Sequence, residues 1–111
     1  MEKENIINTV KSIVSLLYTQ NYEKLAELDF RRILTGEEIN QAIKDYGGKI
    51  TMPPESTFDT VDIYPTKDIK NMVHVDCDLW VDNEKSDLTL SVAIKKEENE
   101  YKFTIKGIRV L

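Results

Sequence analysis

The chain has 111 residues, with 15 Lys plus Arg against 20 Asp plus Glu, one His and one Cys, for a formal charge of −5. At roughly 100–200 residues per domain this predicts one domain over 1–111. With 41% hydrophobic and 32% charged residues the composition is globular, which sets aside the disordered, collagenous and membrane classes. The acidic balance argues against nonspecific nucleic-acid binding, which needs clustered Lys and Arg, and suits a basic partner.

Ile6, Val10, Ile13, Val14 and Leu17 recur on one helical face, so residues about 3–19 read as an amphipathic helix. Asn21 is placed to cap a short second helix carrying Tyr22, Leu25, Ala26 and Leu28, ahead of Arg31 and Arg32. Thr35-Gly36-Glu37-Glu38 has the form of a capping box and starts a third helix with Ile39, Ala42, Ile43 and Tyr46 on its apolar stripe. Gly47 and Gly48 end it, and Pro53-Pro54 forms a linker after which the hydrophobic period changes from helical to alternating.

The helical part thus spans about 3–47 and an antiparallel sheet about 57–111. Val61 and Ile63 mark a first short strand. Val73, Val75, Cys77, Leu79 and Val81 then alternate with His74, Asp76, Asp78 and Trp80, giving one dry and one wet face. Residues 82–85 read as a turn, Leu88 to Ile94 as the next strand and 97–99 as another turn. In the last strand the apolar phase flips across Gly107, from Tyr101, Phe103 and Ile105 to Ile108 and Val110, which predicts a bulge and a curved sheet around the first helix.

The chemistry is sparse. Cys77 is the sole cysteine, which excludes an internal disulfide and a multi-cysteine zinc site, and its phase makes it a buried hydrophobe. No run of apolar residues approaches the ~20 needed to cross a bilayer, and polar residues interrupt the first apolar pattern where a secretory signal would be continuous. A cytoplasmic protein without membrane contact is the expectation.

Asp76, Asp78, Asp82, Glu84 and Asp87 fall at EF-hand loop positions 1, 3, 7, 9 and 12, but Trp80 and Val81 take positions 5 and 6, where a ligand and Gly are required, so no metal is expected. Ser91 or Thr89 beside His74 lacks the elbow of a serine nucleophile, and Arg31 with Arg32 lacks a glycine-rich phosphate cradle. Asp76 to Asp87 holds five acids and one Lys, a local −4, around Trp80. Trp80 is either covered by the chain's own helices or exposed as an interface anchor, and the acids either solubilise a hairpin or steer a basic partner.

Asp78-Leu79-Trp80, the elements Glu84 and Ser86-Asp87-Leu88-Thr89-Leu90, and the final Ile108-Arg109-Val110-Leu111 resemble an uncharacterised bacterial family, domain of unknown function 7668. The resemblance implies an α+β cone similar to the cystatin-like and nuclear transport factor 2-like folds, with N-terminal helices packed on a curved antiparallel sheet. It supplies no catalytic residues and no cofactor. Small acidic domains of this kind look like the immunity proteins of polymorphic or contact-dependent toxin systems.

The expectation is therefore a non-enzymatic cytoplasmic immunity protein that binds a cognate toxin, expected to be a basic nuclease, through Asp76, Asp78, Trp80, Asp82, Glu84 and Asp87. One alternative is a small enzyme or ligand-binding cone with Tyr18, Tyr46, His74 and Asp76 lining a pocket between sheet and helices. The other is a homodimeric structural module.

Overall fold

A computed structural model describes residues 1–66 and 69–111. Three helices come first: α1 (Lys3–Tyr18), α2 (Tyr22–Leu28) and α3 (Gly36–Tyr46). The strands follow as β1 (Ile50–Thr51), β2 (Asp62–Pro65), β3 (Met72–Val81), β4 (Glu84–Glu97) and β5 (Glu100–Val110), with a 3₁₀ turn at Glu55–Thr60. The five strands form one antiparallel sheet in the order β1-β3-β4-β5, and β2 shares with β1 the outer edge of β3. This is an α+β fold, helices packed on an antiparallel sheet.

The helical periodicity of α1 becomes its buried face: Ile6, Ile7, Val10, Ile13, Val14 and Leu17. These meet Val75, Cys77 and Leu79 of β3, Leu88, Leu90, Val92 and Ile94 of β4, and Phe103, Ile105 and Ile108 of β5 in one core cluster. Burying each such aliphatic side chain contributes about 1.5–3 kcal/mol, so α1 on the sheet is the main source of stability. At α3 the capping box is complete, with Glu38 N–H donating to the Thr35 hydroxyl and Thr35 N–H to the Glu38 carboxylate, each at 3.1 Å. Asn21 stands at the N-cap position of α2 but makes no side-chain cap bond.

Gly48 closes the helical half onto the sheet. Its φ is +88°, and a Cβ there would run into the Val81 and Asp82 side chains, so only glycine fits. The next residue, Lys49, donates its N–H to Asp82 Oδ1 at 3.1 Å and receives the Asp82 N–H at its carbonyl at 2.9 Å.

Three local expectations are corrected. The turn between β3 and β4 is two residues, Asp82 and Asn83, not four; both have positive φ (50° and 66°), the geometry that matches the twist of a tight hairpin. The prolines are followed by a 3₁₀ turn that buries Phe58, so alternation begins at Asp62, not at 57, and Val61 precedes its strand. β1 is an additional two-residue strand, paired Ile50 to Val81 and Thr51 to Trp80.

The predicted bulge is present: Ser91 pairs with Gly107 but Val92 with Ile105, which leaves Lys106 as the extra residue. A second irregularity lies between Asp78 and Trp80, where the register with β4 shifts. There the Ser86 hydroxyl bonds the Leu79 carbonyl and accepts the Leu88 N–H.

Candidate functional site

Alternation along the strands sends a second set of side chains to the face turned away from the helices. Register aligns them in rows across the sheet. One row is Tyr64, His74, Ala93 and Thr104; the next is Asp62, Asp76, Ser91 and Gly107; a third is Asp78, Thr89 and Arg109. The centre of this face, on β4, is made of small residues (Thr89, Ser91, Ala93), all of them buried.

Its acidic part lies along β2 and β3. Asp62 and Asp76 are direct cross-strand partners, which sets two carboxylates side by side. Ser91 donates its hydroxyl to Asp76 Oδ1 at 2.8 Å, and the nearest cation in this group, Lys85, lies 3.7 Å from Asp78. Among the described residues no ion pair reaches Asp62 or Asp76. The concentrated negative charge registers on Tyr64, whose phenol is held above its ordinary pKa first by the Asp62 carboxylate, then by burial and by Asp76. Asp62, Asp76 and Asp78, with Tyr64, Lys85 and Thr89, line a cavity of about 230 Å³.

The neighbouring part is basic. Lys106, aimed by the bulge, places Nζ 3.1 Å from His74 Nδ1 and 3.4 Å from Nε2, so the imidazole accepts from the ammonium. The His74 pKa is lowered, first by burial and then by Lys106, with Asp76 opposing and Arg31 adding to the effect. Behind Arg31 lies Asp29, 2% exposed: Oδ1 accepts the N–H groups of Arg31 (2.9 Å) and Arg32 (3.1 Å), and Oδ2 that of Ile105 (2.8 Å). Together with the bond from Phe30 N–H to the Phe103 carbonyl at 2.9 Å, this covers the free edge of β5.

The six residues named from sequence divide between different environments. Asp76 and Asp78 share the acidic cavity. Asp82 is engaged with Lys49 at the hairpin turn, Glu84 is exposed beside that turn, and Asp87 accepts the Tyr46 hydroxyl at 2.6 Å. That bond is the first cause of a raised Tyr46 pKa. Trp80 is half-buried with Nε1 fully enclosed, so it does not project as an anchor.

Tyr18 and Tyr46 are exposed on helices, apart from His74 and Asp76, so the four do not line a pocket between sheet and helices. Asp62 was missed by sequence reasoning because its importance comes from the β2 register.

Nor does the site form a nucleophilic relay. The Ser91 proton points to a carboxylate, while the imidazole is occupied by Lys106. Among the described residues no group of three or more His, Cys, Asp or Glu side chains has the arrangement to hold a metal. No helix there is long and apolar enough to cross a membrane.

Fold and site together define a small α+β domain with a polar, helix-free sheet face, acidic on one side and basic on the other. The chain belongs to the family described as a domain of unknown function (DUF7668), which matches it over residues 10–111. Neither the curated proteins nor the solved structures include a significant match.

Proposed function

We propose that this domain is a non-enzymatic immunity protein, which binds a basic toxin domain in the cytoplasm of the producing cell and blocks its active site or substrate surface. The observation that carries this reading is the direct pairing of Asp62 with Asp76 on an open sheet face, with Asp78 on the same cavity wall. Like charges directly opposite each other on a sheet are destabilising. A cationic side chain from a partner entering the cavity offsets that cost, and the field of the acidic face raises the rate of encounter.

The net charge of −5 supports the same reading. The interface centres on Asp62, Asp76 and Asp78, and Glu84 extends it at the exposed end of the hairpin. Coexpression with a basic toxin domain, to be sought among the genes neighbouring this one, tests it. The wild-type chain restores growth, and a folded Asp62→Lys, Asp78→Lys double variant does not. Equal protection by the double variant would remove the acidic face from the mechanism.

A further inference from the structure

The basic side of the open face encloses a second cavity, of about 360 Å³, with Arg31, His74 and Lys106 among its lining residues. Its floor is apolar. Met72 and Ala93 are 8% and 2% exposed, yet neither belongs to the core cluster beneath the helices; both lie on the opposite side of the sheet and face this cavity. Pro65 and Ile69 continue the apolar wall. The rim is held in place by Thr66, whose hydroxyl lies 2.7 Å from the Ile69 carbonyl and 3.0 Å from that of Met72. A concave site of this size with apolar walls and a few convergent polar groups is what small-molecule recognition requires.

The polar groups specify the ligand's charge. Neither Arg31 nor Lys106 has an ion-pair partner among the described residues. One buried carboxylate fixes the backbone from which both side chains extend, since Asp29 binds the backbone N–H of Arg31 and that of Ile105, the residue before Lys106. Two cations are thus brought together around an imidazole, an arrangement that repels itself until an anion enters. Asp76, one row away, limits the charge the site tolerates and disfavours a dianion.

We propose that this cavity binds a small organic monocarboxylate, with the carboxylate between Arg31 and Lys106 and the apolar tail against Ile69, Met72 and Ala93. The site is separate from the acidic cavity and does not depend on a protein partner.

His74 is the sole histidine of the chain, which makes it a built-in reporter. Among the described residues, the charged and titratable groups facing it are Tyr64 from β2, Asp76 on its own strand, Lys106 from β5 and Arg31 from the segment after α2. A bound carboxylate opposes the two cations and raises the pKa of the imidazole.

The test is an NMR titration of the His74 ring protons with sodium hexanoate. Inorganic phosphate, hexanol and sodium chloride at matched ionic strength serve as separate arms. Hexanoate is expected to shift the ring resonances saturably and raise the His74 pKa, while Lys106→Gln and Arg31→Gln weaken its binding about tenfold or more. Both residues are exposed at the cavity mouth, and Lys44→Gln, which removes an exposed cation on α3 outside both cavities, leaves hexanoate binding unchanged. A response to hexanoate no larger than to chloride would overturn the proposal. So would phosphate binding as tightly as hexanoate, or hexanol saturating the site equally well.

Discussion

Asp29 and Ile105 are 76 residues apart in sequence and joined by a 2.8 Å bond from the Ile105 N–H to the buried Asp29 carboxylate. The same carboxylate accepts two more N–H groups, from Arg31 and Arg32. One side chain therefore ties the segment after α2 to the edge strand next to its bulge. Asp29→Ala removes the acceptor of one buried and two part-buried N–H donors and is expected to cost about 2–4 kcal/mol, read from urea unfolding midpoints. Asp29→Asn keeps one acceptor oxygen and costs less. A neutral Ala variant would show that solvent satisfies these donors.

The Asp62–Asp76 pairing predicts a gain of stability on losing a charge. Asp62 is exposed and has no ion-pair partner among the described residues, so Asp62→Asn removes a repulsion without breaking an ion pair seen there. The expected stabilisation is about 0.2–1 kcal/mol. Because the Asp62 charge is the first cause of the raised Tyr64 pKa, the same variant lowers that pKa. Ultraviolet difference titration against Tyr64→Phe measures it.

His74 gives a pH dependence whose sign follows from its environment. Its pKa in the folded chain lies below the ordinary 6.5, so the unfolded chain binds the proton more readily. Stability is unaffected by this group well above pH 6.5 and declines as the pH falls through 6.5 toward the folded-state value. Lys106→Gln removes the second-largest cause of the shift, raises the His74 pKa and flattens that decline. Thermal unfolding between pH 5 and 8, run on both proteins, separates the His74 contribution from the carboxylates.

Cys77 is buried against α1, and burial first, then the Asp78 charge, pushes its thiol up to about 12. A protonated, enclosed thiol does not attack disulfide reagents. Labelling of the native protein at pH 8 should therefore proceed at the rate of unfolding, and should become immediate in denaturing urea. Fast labelling of the native chain would mean that β3 opens locally.

Local signals carried over from sequence to structure well. Thr35 and Glu38 form their capping box because both partners lie within one turn, and Thr35→Ala should cost about 1 kcal/mol. Gly107 marks a bulge since a phase flip in alternation has few other causes. Non-local relations were hidden. β1 is too short to show alternation, and the shift between Asp78 and Trp80 depends on Ser86 reaching across to Leu79.

The site divided in the same way. Asp76 and Asp78 could be assigned to one face from period two alone, but their partner Asp62 depends on the register between strands joined by an intervening segment. Arg31 and Lys106 converge only through Asp29 and the bulge. Trp80 lay between two readings in the sequence, covered by the chain itself or exposed as an anchor, and its enclosed Nε1 fits the covered one.

The central claim is that the acidic half of the open sheet face receives a basic protein. Calorimetric titration of the wild-type chain and of Asp78→Lys against the basic toxin domain proposed as its partner, to be sought among the neighbouring genes, tests it most directly. The account predicts tight binding that weakens with added salt, and a loss of about tenfold or more in affinity for the variant. Binding of equal strength by both proteins, insensitive to salt, would contradict it.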